Sequence, residues 1–499
     1  MKRGVIGLDV GTGGARAVLL TEDGTIAATF QAAYGLSLPR EGWAEQDPEE
    51  WWQSSMTVLR NTVHAARNQG VTVEAVGLTG QMHGAVFLDA RGDVLRPAII
   101  WMDGRTQGEA RDLQLLGERR GSLAQTLNPA LANFTATRIL WLQRHEPEHW
   151  ARTEVVLLPK DYIRFRLTGE FATDVSDASG TWLLDVGERA WSAALREMLT
   201  VTEAQLPRVY ESDEITGYVR PDVGTEIGFD GRVPVVAGAG DQAAAAMAAG
   251  VERPGTTALS IGTSGVVLSV VGEPTGPLPA ALHMFCHAVR ETWFAMGVTQ
   301  AAGGSLRWLR DVIGGGRDYG ELSDLAAAAP PGADGLMFAP YLAGERCPHA
   351  DPGARGSFVG LTARHGMPEL VRSVMEGVAY SLRDVVEAMG PHGGRPTRIV
   401  ATGGAAKSPV WREIVEMVLD MPVEWMDGQG PAAGAALLAA RCAFSEPQFA
   451  VRAERIAAAW PRDGQERENG DRAKHAVYQD GYARYRKLYA QTKVFWQEA

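Results

Sequence analysis

Two stretches of the chain place short apolar runs on either side of a glycine turn. Residues 7–20 read GLDVGTGGARAVLL, and residues 258–271 read ALSIGTSGVVLSVV. Apolar runs of strand length that flank a tight glycine turn predict a β-hairpin in each place. A further strand-like run, residues 25–33, follows the first hairpin, so the chain is expected to open with a three-stranded meander.

The pattern changes to helical spacing after the meander. Trp52, Met56, Leu59 and Val63 recur at intervals of three to four residues, which predicts an amphipathic helix over 48–67. Three later strands are predicted to end near residues 80, 237 and 402, and glycines follow each of them. Polar groups beside such glycines are where small-ligand contacts tend to lie.

The two hairpins are related to each other. Aligning Ser260 with Asp9, an offset of 251 residues (260 minus 9), also matches the Gly-Thr pair and the last glycine of the two turns. This offset is half of a 499-residue chain, which predicts two related halves that each present a glycine hairpin to a shared ligand.

Composition agrees with a globular protein of two domains. The chain is 45% apolar and 22% charged, with 48 basic against 60 acidic residues and a net charge of −12. Without a basic run, nucleic acid and membrane surfaces are not expected as partners. The three cysteines are widely spaced, and the N-terminus does not have the pattern of a signal peptide, so we expect a cytoplasmic protein.

The first glycine turn is suited to bind phosphate. Glycine has no Cβ, so the backbone N–H groups of residues 11–14 can converge on an anion. Asp9 would repel that anion unless a cation such as Mg²⁺ lay between them, and the pair therefore suggests a metal–nucleotide site. An ordinary glycine hairpin with a surface aspartate is the alternative.

Two further patterns suggest a sugar site. His83 lies in a glycine-flanked bend, where it can be either structural or a ligand contact. Trp101 beside Asp103 suits a sugar, because C–H groups pack on an indole ring while hydroxyls bond to a carboxylate. The alternative for this pair is a helix start in which Asp103 is the N-cap and Trp101 is only packed.

Asp241 lies in a glycine bend at the predicted start of an alanine-rich helix. A carboxylate there is well placed as a base, although a helix cap is also chemically sound. Gly238, Gly240 and Ala243 fit a weak dinucleotide-binding spacing, but the segment twenty residues on is the second hairpin and not a strand that ends in an acidic residue.

Other patterns are assigned to structure. The surroundings of His283 and His287 are strand-like, so this pair does not match a helical zinc site. The tyrosines at 478, 482, 485 and 489 are expected to pack one face of a helix. Residues 340–361 form a loop too long for a simple connection, and such loops are often functional.

The chain as a whole resembles the FGGY carbohydrate kinases. The motifs are GLTGQMHG, LLPKDYIRFRLTG, GAGDQAA, PYLAGERCPHADPGARGSFVGL and TGGAAKSPVWR, and within the family they are most similar to those of the xylulokinase group. The resemblance implies an α/β fold of two ribonuclease H-like domains, as in the actin- and hexokinase-like ATPases, with an interdomain cleft. We expect the domains at residues 1–242 and 243–499, the first with the sugar site and the second with the nucleotide site.

The resemblance also implies a role for each motif residue. Asp241 would be the catalytic base, and Asp9 would hold Mg²⁺ through water. The sugar pocket would be lined by Met82, His83, Trp101, Asp103 and Gln242. Phosphates would be bound by Thr12, Gly13, Gly262, Thr263 and Ser264, and the adenosine would be bordered by Gly303, Gly404, Lys407 and Ser408. Gly13, Met102 and Gln242 depart from the residues common in the family, and only Gln242 touches the expected sugar pocket.

The implied reaction is transfer of a phosphoryl group from ATP to a primary hydroxyl of a ketopentose, D-xylulose first. Ribulose, glycerol and gluconate are alternative acceptors. A non-kinase actin-like ATPase and a dinucleotide oxidoreductase are the rival classes. A homodimer is common in the family.

Overall fold

A computed structural model describes residues 2–279, 281–426, 430–444, 462–463 and 472–497. Strands and helices are interspersed along the chain. The strands are β1 Lys2–Val10, β2 Gly14–Thr21, β3 Ile26–Ala33, β4 Glu45–Gln46, β5 Val71–Gly80, β6 Val86–Leu88, β7 Ala98–Ile99, β8 Val155–Leu157, β9 Ala172–Asp174, β10 Leu184–Asp185, β11 Ala190–Trp191, β12 Arg208–Tyr210, β13 Ile215–Tyr218, β14 Pro234–Val236, β15 Ala239–Gly240, β16 Thr256–Ile261, β17 Gly265–Val271, β18 His283–Cys286, β19 Trp293–Thr299, β20 Met337–Ala339, β21 Ser357–Val359, β22 Arg398–Gly403, β23 Val423–Met426 and β24 Arg462–Asp463.

The helices cover the faces of the sheets. They are α1 Pro48–Asn68, α2 Gln107–Arg120, α3 Leu123–Thr126, α4 Thr135–His145, α5 Pro147–Arg152, α6 Pro159–Thr168, α7 Val175–Ala178, α8 Ala193–Met198, α9 Pro221–Ile227, α10 Asp241–Ala248, α11 Gly303–Val312, α12 Tyr319–Ala328, α13 Met367–Met389, α14 Pro409–Leu419, α15 Gly430–Ala443, α16 Arg472–Thr492 and α17 Val494–Gln497. None of the helices within the described ranges is long and apolar enough to cross a membrane.

Two large sheets share the same pattern of strand directions around a central strand. The first runs β13-β14-β5-β1-β2-β3, and the second runs β24-β23-β22-β16-β17-β19-β18. In each, the central strand (β1 or β16) is parallel to one neighbour and forms an antiparallel hairpin with the other. The predicted meander and both predicted hairpins are confirmed, and the relation between the halves inferred from the glycine turns extends to β5 and β22, the parallel neighbours of the two central strands.

Alternation along β1 divides its side chains between two layers. Ile6, Leu8 and Val10 are buried in a core with α1, while Val5 faces a core shared with α15. Helix α1 forms as predicted, because Asp47 accepts a hydrogen bond from the Glu49 backbone N–H and Pro48 occupies the first turn.

Helix α15 comes from the second half of the chain but packs on the first sheet. A Cβ on Gly7 would lie 1.9 Å from the Ala432 carbonyl oxygen, and one on Gly77 would lie 1.9 Å from that of Ala435. The same apolar cluster continues into the second sheet through Phe285. The two sheets therefore share one core, which fixes their relative placement.

The tyrosine stripe of α16 packs as predicted. Tyr478, Tyr482 and Tyr485 are buried, and Tyr489 lies against the 340–361 loop, where its hydroxyl donates a hydrogen bond of 2.9 Å to Asp351. That loop also contains β21, a short strand that the sequence did not predict.

Candidate active site

Three parallel strand ends meet at one edge of the first sheet. Val10 of β1 is aligned with Gly80 of β5, and Gly80 is aligned with Gly240 of β15. The first glycine turn, the Gln-Met-His-Gly bend and Asp241 are the next residues along these three strands. Because the carboxyl ends of parallel strands are where ligands bind in α/β sheets, tertiary structure brings together three motifs that the sequence separates by up to 230 residues (241 minus 11).

Hydrogen bonds to the backbone carbonyls of the first hairpin turn fix its conformation. The Gly11 N–H donates to the Gly14 carbonyl at 3.1 Å, which closes a four-residue loop. The Gln46 side chain donates to the Thr12 carbonyl at 2.7 Å, and the Tyr34 hydroxyl donates to the Gly11 carbonyl. A Cβ on Gly13 would meet nothing within 4 Å, so this position is open towards the cleft.

The surroundings of Asp9 disfavour the ionised form of its carboxylate. Burial raises its pKa to about 7, the negative charge of Asp241 adds to the shift, and Arg16 opposes it. Its Oδ1 atom is buried and has no hydrogen-bond partner among the residues described. A bound cation would stabilise the ionised carboxylate and would give Oδ1 a partner.

The donor set around Asp9 fits Mg²⁺ better than a metal held by protein alone. No group of three or more histidine, cysteine or acidic side chains that could hold a metal occurs in the described ranges. Mg²⁺ usually keeps several waters and takes one or two carboxylates together with substrate phosphates. A single carboxylate beside an open glycine turn provides this arrangement.

Asp241 is the first residue of α10 and follows the N-cap Gly240. Burial raises its pKa to about 6, and hydrogen bonding to Gln242 partly offsets the shift. The carboxylate accepts hydrogen bonds from the backbone and the side chain of Gln242, so a contribution to the start of α10 stands beside a role as a base. A half-buried carboxylate with a pKa close to neutrality can accept a proton.

His83 is held as one neutral tautomer. Its Nδ1 lies 2.6 Å from the Gly180 carbonyl oxygen, and burial lowers its pKa to about 3. Since a carbonyl only accepts, Nδ1 carries the proton and Nε2 is left as an acceptor. The backbone has a φ of 69°, a left-handed conformation that is uncommon for histidine.

Met82 and the aromatic residues near His83 form the adjoining wall. Met82 is buried between two glycines, because a Cβ on Gly180 or on Gly240 would each lie 3.0 Å from its side chain. The His83 ring packs edge-on to Phe134 at 5.2 Å and lies 6.1 Å from Phe285 of β18. The wall therefore joins residues of both sheets.

The surroundings of Asp103 argue against the expected contact with sugar hydroxyls, which stays a prediction. Its side chain has no exposed surface, both oxygens accept bonds from Arg105, and Oδ2 also accepts the Ala44 backbone N–H at 2.6 Å. It is not the helix N-cap either, since α2 begins at Gln107 after Thr106. Asp103 is a buried partner of Arg105.

Trp101 contacts the phosphate hairpin. Its ring is 40% exposed, and Nε1 donates a hydrogen bond of 2.9 Å to the Thr12 hydroxyl. The exposed indole face stays open to a ligand, while its N–H fixes the side chain of the turn.

The second hairpin borders a cavity of about 610 Å³. Its loop is one residue shorter than the first, with the Gly262 N–H donating to the Ser264 carbonyl at 3.1 Å. Six of the seven residues predicted for this half line the cavity: Gly262, Thr263, Gly303, Gly404, Lys407 and Ser408. Ser264 is not among the lining residues. The predicted nucleotide side of the site is thus a single concave space.

Local structure explains how these residues converge. The Gly303 and Gly304 N–H groups donate to the carbonyls of Gly262 and Thr263, at 2.7 and 3.0 Å, which docks the start of α11 on the hairpin. Ser408 is the N-cap of α14, and its hydroxyl also lies 2.7 Å from that of Ser323. Lys407 is exposed at the rim.

The sequence did not identify the opposite wall of this cavity. It consists of helix residues to which the sequence assigned no role: Leu306, Arg307, Tyr319, Gly320, Ser323, Asp324, Met375 and Trp411, the last within the TGGAAKSPVWR motif. Helical periodicity predicts which face of such a helix is polar, but it does not predict which cavity that face meets.

Comparison with known proteins agrees with this arrangement. The model of the N-terminal domain of the FGGY family of carbohydrate kinases matches residues 4–248, and the C-terminal domain model matches residues 257–443. A xylulose kinase of Escherichia coli (strain K12) is 39% identical over 97% of this chain and 98% of its own length.

Solved structures show the same fold. A xylulose kinase from Rhodospirillum rubrum is 31% identical, with a TM-score of 0.91 over 99% of this chain and all of that one. A gluconate kinase from Lactobacillus acidophilus is 25% identical, with a TM-score of 0.91 over the full length of both chains. The family models together cover most of the chain, and this protein belongs to the FGGY family of carbohydrate kinases.

Proposed function

We propose that this kinase transfers the γ-phosphoryl group of ATP to a primary hydroxyl of D-xylulose, giving the 5-phosphate and ADP. The observation that carries the proposal is the position of Asp241, at a strand end beside both the first glycine turn and the Met82–His83 bend. The identity with xylulose kinases over nearly the whole chain supports the choice of sugar, whereas the equal fold similarity to a gluconate kinase does not favour one acceptor.

Asp241 would accept the proton of the attacking hydroxyl. With a pKa raised to about 6, the carboxylate is ionised at neutral pH yet more basic than an ordinary aspartate. Phosphoryl transfer demands little covalent chemistry from the protein, so positioning and charge stabilisation supply most of the rate.

The acceptor would bind against Met82, His83, Trp101 and Gln242. His83 presents Nε2 as an acceptor, and a sugar hydroxyl would therefore donate to it. The exposed face of Trp101 offers a surface for the C–H groups of the sugar.

The phosphates and the nucleotide would bind across the two hairpins. Thr12 and Gly13 would meet the phosphates on one side and Gly262 and Thr263 on the other, with Ser264 completing the second turn. Gly303, Gly404, Lys407 and Ser408 line the cavity into which the adenosine would extend. Asp9 would hold Mg²⁺, which supplies positive charge beside the phosphates when bound.

The division of the chain and its assembly are part of the same proposal. The N-terminal family model ends at residue 248 and the C-terminal one begins at residue 257, which supports two domains with a boundary several residues after the proposed division into 1–242 and 243–499. The family resemblance supports a homodimer, which light scattering of the purified protein checks.

A screen of ADP release over several acceptors tests the function. D-xylulose, D-ribulose, glycerol and gluconate are offered with Mg²⁺ and ATP, with the product identified by mass. We expect D-xylulose to give the highest kcat/KM, and Asp241→Asn to abolish the signal for it. A higher kcat/KM for gluconate or glycerol would overturn the choice of sugar, and ADP release without a phosphorylated product would overturn the kinase assignment.

A further inference from the structure

Five charged side chains form a fully buried cluster below the acceptor end of the site. They are Lys160, Asp161, Arg164, Asp174 and Asp177, and none has any exposed side-chain surface. Lys160 Nζ lies 2.6 Å from Asp161, 2.8 Å from Asp174 and 3.1 Å from Asp177. Removing charges from water costs several kcal/mol per ion, and apolar side chains often give equal or greater stability. Stability alone therefore does not explain the cluster.

One arm of the cluster reaches the residue before Asp241. Asp174 accepts a hydrogen bond of 2.5 Å from the Ser176 hydroxyl. The oxygen of the same hydroxyl accepts the Gly240 backbone N–H at 3.0 Å. Lys160, Asp174, Ser176 and Gly240 thus form a continuous path of polar contacts from the centre of the cluster to the N-cap of α10.

A second arm holds the strand that leads to the same residue. Arg164 lies 3.3 Å from Asp161 and donates to the Val236 carbonyl at 2.8 Å and to the Ala237 carbonyl. Its guanidinium also donates to the Thr216 hydroxyl at 2.8 Å. Both ends of the segment 236–240 are therefore tied to the cluster.

The segment between the two arms adopts a conformation that needs support. Gly238 has a φ of 74°, and a Cβ there would lie 1.9 Å from the Leu78 carbonyl oxygen. The chain turns sharply at this glycine, with one strand residue, Ala239, before Gly240. Small shifts of this turn would carry directly into the position of the Asp241 carboxylate.

We propose that the buried cluster positions Asp241 for proton transfer, with Ser176 and Arg164 as the positioning residues. The inference rests on the proposed role of Asp241 as base. The cluster carries three carboxyl groups against two cations, and burial together with the neighbouring carboxylates raises the pKa of Asp177 well above its ordinary value.

The test compares two buried serines in the same stretch of chain. Ser176→Ala removes the acceptor for Gly240, whereas Ser179→Ala removes a hydroxyl that donates only to the Ser176 carbonyl, at 2.6 Å. Misplacement of a catalytic group by about 1 Å can cost about 100-fold in rate, so we expect Ser176→Ala to lower kcat at least about 10-fold. The KM values for ATP and sugar should stay within about two-fold, and Ser179→Ala should keep the parent kcat.

Arg164→Lys tests the second arm, because lysine keeps the charge but lacks the planar guanidinium fork that reaches both carbonyls and the Thr216 hydroxyl at once. We expect the same fall in kcat with unchanged KM. A parent-like kcat in both Ser176→Ala and Arg164→Lys, whatever the change in Tm, would overturn the inference. Asp241→Asn is measured alongside: if it too keeps the parent kcat, the proposed role of Asp241 fails, and if it is inactive while the other two variants are active, only the positioning role fails.

Discussion

Asp9 and Asp241 lie at the ends of two strands that flank β5, and the charge of Asp241 helps to raise the pKa of Asp9. Two carboxylates in partly buried positions repel each other and any phosphate. A cation bound at Asp9 would neutralise the repulsion there, whereas Asp241 can take up a proton. The pair therefore predicts distinct phenotypes for the two residues.

Asp241→Asn should lower kcat by about 10² to 10⁴, the usual contribution of general-base catalysis. Asparagine keeps the size of the side chain but cannot accept the proton. We expect a Tm at pH 8 that is not below that of the parent, because asparagine keeps an acceptor for Gln242 and removes a buried charge whose pKa is raised to about 6. Isothermal titration with Mg²⁺ and ADP should give the parent affinity. A kcat close to that of the parent would contradict the assignment of the base.

The pH dependence of kcat should show an acid limb near 6. Burial raises the pKa of Asp241 to about 6, so the carboxylate becomes protonated and inactive as the pH falls through that value. His83 does not contribute in this range, since its pKa is lowered to about 3. The measurement is kcat from pH 5 to 8 at saturating Mg²⁺, ATP and sugar. A flat profile would contradict the prediction.

Asp9→Asn should weaken the use of Mg²⁺ and ATP while sugar binding stays nearly intact. The KM for ATP and the Mg²⁺ concentration for half-maximal rate should both rise, because the carboxylate faces the phosphate turn and not the acceptor. Normal turnover with a normal Mg²⁺ requirement would exclude Asp9 as the metal-side carboxylate.

The same variant should be more stable than the parent at pH 8. Burial raises the pKa of Asp9 from 3.8 to about 7, so the folded protein binds this proton more tightly than the unfolded chain. Stability from this group is complete below pH 3.8 and is lost as the pH rises through about 7. We expect calorimetry to show a higher Tm for Asp9→Asn at pH 8 and a smaller difference at pH 5.

His83→Asn should raise the KM for D-xylulose at least about 10-fold, because loss of a buried hydrogen-bond acceptor leaves a sugar hydroxyl unpaired. Asparagine tolerates the left-handed backbone at this position, which protects the fold. The loss should be greater for D-xylulose than for an acceptor without that hydroxyl, and the KM for ATP should change little. Equal losses for all acceptors with a lower Tm would indicate a structural role.

Two glycine variants should distinguish an effect on nucleotide binding from an effect on the stability of the cavity wall. A Cβ on Gly404 comes no closer than 4.0 Å to another atom, so Gly404→Ala should raise the KM for ATP with little change in Tm. A Cβ on Gly303 would lie 2.6 Å from the Gly262 carbonyl oxygen, so Gly303→Ala should lower Tm as well. Parent-like ATP kinetics in Gly404→Ala would place the nucleotide elsewhere.

The sequence was most informative where a site depends on local backbone. The glycine turns after β1 and β16, the bend at His83 and the start of α10 at Asp241 were all predicted from adjacent residues. Glycines and strand ends have the same local requirements in any fold, because their signature lies in backbone conformation and short-range periodicity. The pattern of the two hairpins also predicted two related halves.

Tertiary structure alone decided which polar groups meet. The sequence suggested a sugar ligand at Asp103, but the partner of that carboxylate is Arg105, held in place by packing. Likewise, Lys160 meets Asp174, Ser176 meets Gly240 and Tyr319 reaches the nucleotide cavity only because distant segments fold against one another. The ionisable group of a side chain is fixed by its identity, whereas its partners, its burial and therefore its pKa depend on contacts between elements that no local pattern records.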